Sequence, residues 1–90
     1  MDDNEIYVLT YTHPQGKYIS VHKTRSGLNT LMLRIVMESK SELDAKAHPV
    51  YKKKLEEVLE IWDFYMLPQA WSDFTYGYEE LEVSHTYLKD

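Results

Sequence analysis

Cysteine is absent from this 90-residue sequence, and its absence excludes several classes of protein at once. Without thiols the chain has no disulfide bonds, thiolate nucleophiles, zinc ribbons or iron–sulfur clusters. Small secreted scaffolds are excluded as well, because they usually depend on disulfides. Internal repeats, low-complexity tracts and linkers are also missing, and this length provides only one core. We therefore expect a single domain over residues 1–90, with residues 1–4 frayed.

Long hydrophobic runs are missing too. The longest, LMLRIVM, contains Arg34 and is too short to cross a bilayer. The first residues, MDDNE, are acidic, whereas a signal peptide begins with positive charge. The sequence therefore predicts a cytoplasmic protein with no membrane association.

Basic residues are in the minority, with ten Lys and Arg against fifteen Asp and Glu, for a formal net charge of −5. Phosphate binding needs an electropositive surface, so this balance argues against a general binder of DNA or RNA. The hydrophobic share of 43% is that of an ordinary globular protein, which argues against disorder over most of the chain.

Catalytic and metal-binding motifs are not recognisable in the sequence. None of the histidines, at positions 13, 22, 48 and 85, pairs with another at i, i+4, and no HExxH occurs. The serines lack a nucleophile elbow. A small hydrolase or metal enzyme would need His22 and His85 to meet beside carboxylates on neighbouring strands. We expect a protein that is not an enzyme and has no cofactor or metal site.

Two stretches at the start of the chain have the pattern of a β-hairpin. Residues 6–12 and 17–23 alternate in polarity and are rich in β-branched and aromatic types, as strands are. The connection HPQG supplies Pro14 for an early turn position and Gly16 for a positive φ. Another alternating stretch, YEELEVSHTYL, predicts a final strand.

The middle of the chain changes to a helical period. Apolar residues predict a helix over about 26–40, capped by Thr24 or Ser26, and a second helix between Pro49 and Pro68. The stripe of the first contains Leu28, Leu31, Met32, Ile35 and Val36, and that of the second contains Tyr51, Leu55, Val58, Leu59, Trp62 and Met66. The residues from 71 to 78 read as an aromatic loop. The order is ββααβ, an α+β fold with a small antiparallel three-stranded sheet packed on two helices.

Two helices can cover only one face of such a sheet. We expect them to cover the aliphatic face, formed by Ile6, Val8, Ile19, Val21, Leu81 and Val83. The open face then carries tyrosines beside carboxylates, a composition typical of a protein-binding surface. The predicted partner-binding residues are Tyr7, Tyr11, Tyr18, His22, Glu80 and Glu82, with self-association through the same face or through the sheet edge as a further possibility. The alternative is that the tyrosines pair across strands for stability alone, or that the loop over 71–78 covers them.

A nucleic-acid function is the main competing hypothesis. Tyrosines on a sheet can stack on bases as in RNA-recognition modules, although those have a different strand order and basic surroundings. A nucleic-acid-directed module would instead use Lys52, Lys53 and Lys54 with Trp71, Phe74 and Tyr76. An acidic mimic of nucleic acid would use the acids at 56, 57, 60 and 63, or those at 79, 80 and 82. The simpler interpretation of the three lysines is a solvated helix face.

The two ends of the chain carry a resemblance. The opening IYVLTYTHPQG and the closing YEELEVSHTYL resemble small uncharacterised proteins encoded by bacteria and their phages, which share no biochemical role. The resemblance implies a context in which a small accessory protein binds a host protein and modulates, usually inhibits, its activity. It carries over no site residues. The sequence thus predicts a non-enzymatic protein-binding factor.

Overall fold

The computed structural model describes residues 5–87, apart from the side chain of Ala45; the expected fraying of residues 1–4 lies outside this range. The elements are β1 (Glu5–His13), β2 (Gly16–His22), α1 (Arg25–Leu43), a 3₁₀ turn (Asp44–Lys46), α2 (Pro49–Glu60), α3 (Leu67–Phe74) and β3 (Glu80–Tyr87). The predicted α+β class and element order are confirmed, with a third helix added. No helix in residues 5–87 is long and apolar enough to span a membrane.

Strand β1 is the centre of the sheet, in the order β2-β1-β3 with both pairings antiparallel. The β1–β2 hairpin turns at Pro14 and Gln15, and Gly16 takes a φ of +140°, which only glycine adopts without strain. Residues paired directly across antiparallel strands point to the same face. The register therefore places Leu81 beside Tyr11, and Val83 beside Leu9, on one face of the sheet.

Helix α1 packs on the sheet through a stripe of buried residues one turn apart, Leu28, Met32 and Val36. Thr24 caps its first turn, as predicted, because its hydroxyl accepts a hydrogen bond from the Gly27 amide at 3.0 Å. At the other end, Asp44 accepts from Lys52 of α2 at 2.8 Å. This ion pair connects the end of α1 to the start of α2.

Helix α2 begins at Pro49, as predicted, but ends at Glu60 and does not continue toward Pro68. Pro68 lies in the first turn of α3, where a missing amide costs nothing, so it begins a third helix and does not close the second. The predicted stripe is therefore wrong beyond Leu59, because Trp62 and Met66 lie in the connection between the two helices.

Helix α3 replaces the predicted aromatic loop and forms the middle of the core. Trp71 and Phe74 are fully buried and stack on each other, with ring centroids 5.4 Å apart. Among the described residues the Trp71 indole N–H has no hydrogen-bond partner. At eight residues the helix is too short for apolar periodicity to distinguish it from a loop.

The helices cover the face of the sheet that bears Tyr7, Leu9 and Tyr11. The prediction that the aliphatic face is buried is wrong, because Ile19 and Val21 are 62% and 61% exposed. Leu81 and Val83 are inside, as expected, but on the tyrosine face. The shortest dimension of the molecule, 17 Å, fits one sheet and one layer of helices. Within residues 5–87, no helix or strand therefore forms a second layer over the aliphatic face.

The assignment of faces predicts opposite responses to two truncations. Leu9→Ala should lower the free energy of unfolding by about 2–5 kcal/mol, because it leaves a cavity in the core. Ile19→Ala, on the same sheet but on the uncovered face, should lower it by less than about 1 kcal/mol. Urea denaturation at low protein concentration measures both. A larger loss for Ile19→Ala than for Leu9→Ala would reverse the assignment.

Candidate functional site

The residues predicted to bind a partner do not form one surface. Tyr7, Tyr11 and His22 are half-buried on the face that the helices cover, and Tyr18 is exposed on the edge strand β2 beside them. Glu80 and Glu82 are exposed, but they pair with Thr12 and Thr10 and so point to the opposite, aliphatic face. The predicted combination of tyrosines with carboxylates on one open face is therefore wrong.

Tyr7 lies in a small polar cluster at one end of the sheet. It pairs with His22 on one side and with His85 on the other, so the strand β1 separates the two histidines. Its ring stacks on His85 at 4.7 Å, and its hydroxyl donates to Glu5, which also accepts from His85. Within residues 5–87 no three histidine, aspartate or glutamate side chains come together as metal ligands.

Tyr11 fastens the start of β3 to the centre of the sheet. Its hydroxyl donates to the Glu79 carboxylate at 2.6 Å. Burial, followed by this hydrogen bond, raises the pKa of Tyr11 to about 12. Glu79 is also bound through its backbone to the buried Thr75 hydroxyl. Tyr7 and Tyr11 thus satisfy their hydroxyls inside the protein, as core tyrosines do.

The groups proposed for nucleic-acid binding are also dispersed. Trp71 and Phe74 are buried, so neither can stack on a base. Lys52 donates to Asp44, and this hydrogen bond raises the pKa of Lys52 and lowers that of Asp44. Lys53 and Lys54 are exposed on α2.

An unpredicted feature appears where α2 and α3 end. Both helices end in a Schellman motif, in which the residue after the C-cap takes a left-handed conformation. The amide of this residue and the amide of the following residue both donate hydrogen bonds to carbonyls of the last helical turn. In α2 this residue is Trp62. Its amide donates to the Leu59 carbonyl, and the Asp63 amide donates to the Val58 carbonyl. In α3 it is Tyr76. Both have a φ of +55°.

Glycine is the usual residue at these two positions, because a side chain makes the left-handed conformation unfavourable by about 1–2 kcal/mol. Trp62 and Tyr76 nevertheless occupy them, and their side chains are 61% and 58% exposed. Both rings are therefore exposed on a backbone conformation that costs free energy. Residues held in sparsely populated backbone conformations cluster at functional sites, so the two positions are candidate binding sites.

Trp62 lies in a largely apolar region, which we call the Trp62 surface. It comprises the apolar residues that line a concavity together with Trp62, namely Leu33, Met37 and Leu59, and the exposed apolar residues close to Trp62 in the chain, namely Ile61, Tyr65 and Met66. Tyr65 is the most exposed of these, at 81%. A concavity of about 320 Å³ lies between α1 and the end of α2, lined by Leu33, Met37, Leu59, Glu60 and Trp62.

Arg25, at the start of α1, holds the connection in place. Its guanidinium donates to the Phe64 carbonyl at 3.1 Å and lies 4.8 Å from the centre of the Tyr65 ring, a cation–π distance. Asp63 accepts hydrogen bonds from the Tyr65 and Met66 amides, each at 3.2 Å. The connection that carries Trp62 is therefore a structured turn, which is hydrogen-bonded to α1 on one side and continues into α3.

The sequence contains one signal for this surface. In the stretch EIWDFYM, six residues from Ile61 to Met66 include only one polar side chain. A helix cannot direct so many consecutive apolar residues to one face. Without a glycine to mark the end of α2, the i, i+3, i+7 spacing of Leu59, Trp62 and Met66 suggests a continued helix instead.

The second strained aromatic borders a groove of about 390 Å³ at the other end of α3. It is lined by Pro14, Leu43, Lys46, Ala47, Phe74, Thr75, Tyr76, Tyr78 and Glu79. Tyr76 also makes an edge contact with Tyr51, 6.0 Å between ring centroids. The groove combines exposed aromatic rings with one cation and one carboxylate, so its charges are mixed.

The strain at Trp62 can be measured with two truncations. Trp62→Gly and Trp62→Ala remove the same ring, but only glycine accepts a φ of +55° without strain. We expect the glycine variant to be more stable than the alanine variant by about 1 kcal/mol in urea denaturation. Equal stability, or a more stable alanine variant, would mean that position 62 is not held in the left-handed region.

The hydrogen bond from Tyr11 to Glu79 predicts a dependence of stability on alkaline pH. The folded pKa of about 12 exceeds the ordinary value of about 10, so the stabilisation is complete below pH 10 and is lost as pH rises toward 12. Tyr11→Phe should therefore show a shallower fall in the free energy of unfolding over this range. Tyr78→Phe, at an exposed tyrosine, should keep the wild-type slope. Identical slopes for wild type and Tyr11→Phe would contradict the assignment.

Comparisons with protein-family models, with curated proteins and with solved structures found no match to this chain. The resemblance of its two ends to small phage and bacterial proteins therefore stays a prediction. What the protein does must be argued from its own surfaces, among which the Trp62 surface combines apolar exposure, concave shape and backbone strain.

Proposed function

We propose that this protein is a non-enzymatic binding factor that docks on another protein through the Trp62 surface. The observation that carries the proposal is Trp62 itself, a large apolar ring held in water on a strained backbone. Neither the exposure nor the strain stabilises the isolated chain. A partner that buries the ring would gain the hydrophobic free energy of removing it from water, which folding of the isolated chain does not provide.

The composition of the Trp62 surface supports this role. Trp, Tyr and Met are enriched in the buried centres of protein interfaces, where a few large side chains account for most of the binding energy. Here one of each, Trp62, Tyr65 and Met66, lies within five residues of chain. The hydrogen bonds from Arg25 and to Asp63 hold the connection in shape, which lowers the entropy lost on binding.

The shape and charge of the site indicate the chemistry of its partner. A concavity between two helices accepts the apolar side of an amphipathic helix. Glu60 lines it, Glu57 is exposed on α2, and the whole chain carries a charge of −5, whereas Glu38 of α1 is already paired with Arg34. The partner segment should therefore carry Lys or Arg beside its apolar residues.

The resemblance to small phage and bacterial proteins suggests where such a factor acts. Its partner would be a host protein in the cytoplasm, and occupation of an apolar groove would modulate that protein, in the simplest case by inhibition. This part of the proposal depends on the resemblance, whereas the position of the binding surface depends on the geometry.

A nucleic-acid-directed role is the second candidate. The groove beside Tyr76 and Tyr78 favours it, because two exposed rings lie next to Lys46 and aromatic rings stack on bases. It ranks second because Glu79 lines the same groove and the chain is acidic overall. A mimic of nucleic acid would use the exposed acids of α2 or β3 instead.

Affinity capture with three forms of the protein tests the proposal. The wild type should retain one stoichiometric protein from a lysate of its source cells, and Trp62→Gly should reduce the capture at least tenfold. Tyr78→Ala, which removes an exposed aromatic from the other groove, should capture as the wild type does. Circular dichroism establishes that all three are folded.

Two results would contradict the proposal. Equal capture by wild type and Trp62→Gly would exclude the Trp62 surface as the binding site. Capture that disappears on nuclease treatment, and with Tyr78→Ala but not with Trp62→Gly, would favour the nucleic-acid role.

A further inference from the structure

The uncovered aliphatic face of the sheet is a second surface, separate from the Trp62 surface. Its side chains lie in rows across the three strands: Lys17, Thr12 and Glu80; Ile19, Thr10 and Glu82; and Val21, Val8 and Ser84. Ile6 extends the aliphatic part beyond the last row, beside Thr86. Ile19 and Val21 are exposed, whereas Ile6 and Val8 of the central strand are half-buried. Aliphatic side chains gathered on one face of a three-stranded sheet, with no helix layer over them in residues 5–87, are typical of a face that another surface covers.

The charges of this face are divided between its two edges. Lys17 is on β2, whereas Glu80 and Glu82 are on β3, and the central strand contributes no charge between them. One edge is therefore basic and the other acidic. A face of this kind is complementary to a copy of itself when β2 of one copy lies over β3 of the other.

We propose that two copies of the chain pack through this face as a symmetric dimer with a two-fold axis along β1. Rotation about that axis exchanges the positions of β2 and β3. Lys17 then faces Glu80 of the second copy, and Ile6 and Val8 face their own counterparts. The two sheets form an aligned sandwich, with the helices of each copy outside.

The small area of the face indicates a weak dimer. Three strands about 4.8 Å apart and eight residues long present about 14 by 26 Å. This is smaller than a standard interface, which buries about 800 Å² on each partner. The dimer is therefore weak and depends on concentration, a monomer at low micromolar concentrations and a dimer toward millimolar ones.

The charge pattern argues for a second copy over an unrelated protein. A protein partner of another sequence would need no particular relation between Lys17 and the acids of β3. In the dimer the two edges must be opposite in sign and must share a row, as Lys17 and Glu80 do. The dimer does not depend on the proposed function, since it leaves the Trp62 surface exposed on the helical side.

Sedimentation equilibrium over a concentration series up to about 0.5 mM tests the dimer. The apparent mass should rise from 10.7 kDa toward twice that value. Val21→Glu places a carboxylate in the aliphatic part of the edge strand β2, which lies over the acidic β3 of the second copy, and should keep the protein monomeric throughout. Trp62→Gly should dimerise as the wild type does. A monomeric wild type, a dimer that survives Val21→Glu, or a dimer lost in Trp62→Gly would overturn the proposal.

A charge exchange at low ionic strength tests the two-fold axis and does not depend on Val21→Glu being folded. Lys17→Glu alone should weaken the dimer about tenfold, because it opposes like charges twice. Adding Glu80→Lys in the same chain should restore the wild-type dissociation constant. Glu80→Lys alone is measured as well. If the losses in dimerisation free energy of the two single variants simply add in the double variant, Lys17 and Glu80 are not opposed and the proposed axis is wrong.

Discussion

The structure depends on the position of β1 between the two other strands. Because the side chains of a strand alternate, β1 presents Tyr7, Leu9 and Tyr11 to one side and Ile6 and Val8 to the other, and a single layer of helices covers only one of them. The two tyrosines lie half-buried beside the fully buried Leu9, and their hydroxyls donate to Glu5 and Glu79. The shorter aliphatic residues lie on the opposite side of the sheet, over which residues 5–87 provide no helix layer.

Much of the fold was predictable because local pattern determines it. The alternation of the strands, the HPQG turn, the stripe of α1 and the start of α2 at Pro49 are all confirmed. The choice of face was not predictable, because both sides of β1 carry apolar residues. It is decided by tertiary partners: α3 brings Trp71 and Phe74 into the core, and the β3 register sets Leu81 beside Tyr11. Both contacts join residues that are far apart in the sequence, so a local sequence pattern cannot predict them.

The candidate site was harder to predict than the fold. The spacing of Leu59, Trp62 and Met66 fits a helix, and the residue that usually marks a helix end, glycine, is missing where α2 ends. Hydrogen bonds to the Leu59 and Val58 carbonyls turn the backbone at Trp62. A tryptophan side chain at this position does not predict such a turn. The apolar spacing thus predicted Trp62 in the core, whereas its ring is 61% exposed.

The two aromatic helix ends also bear on how this protein can change. Random mutation followed by selection for folding yield or heat resistance would favour glycine at positions 62 and 76, since glycine relieves the left-handed backbone at both. Such a lineage would become more abundant while it lost the rings that a partner could recognise. If the proposed function holds, persistence of Trp62 among natural variants would record selection for binding, and its replacement by glycine would mark copies that fold but do not bind.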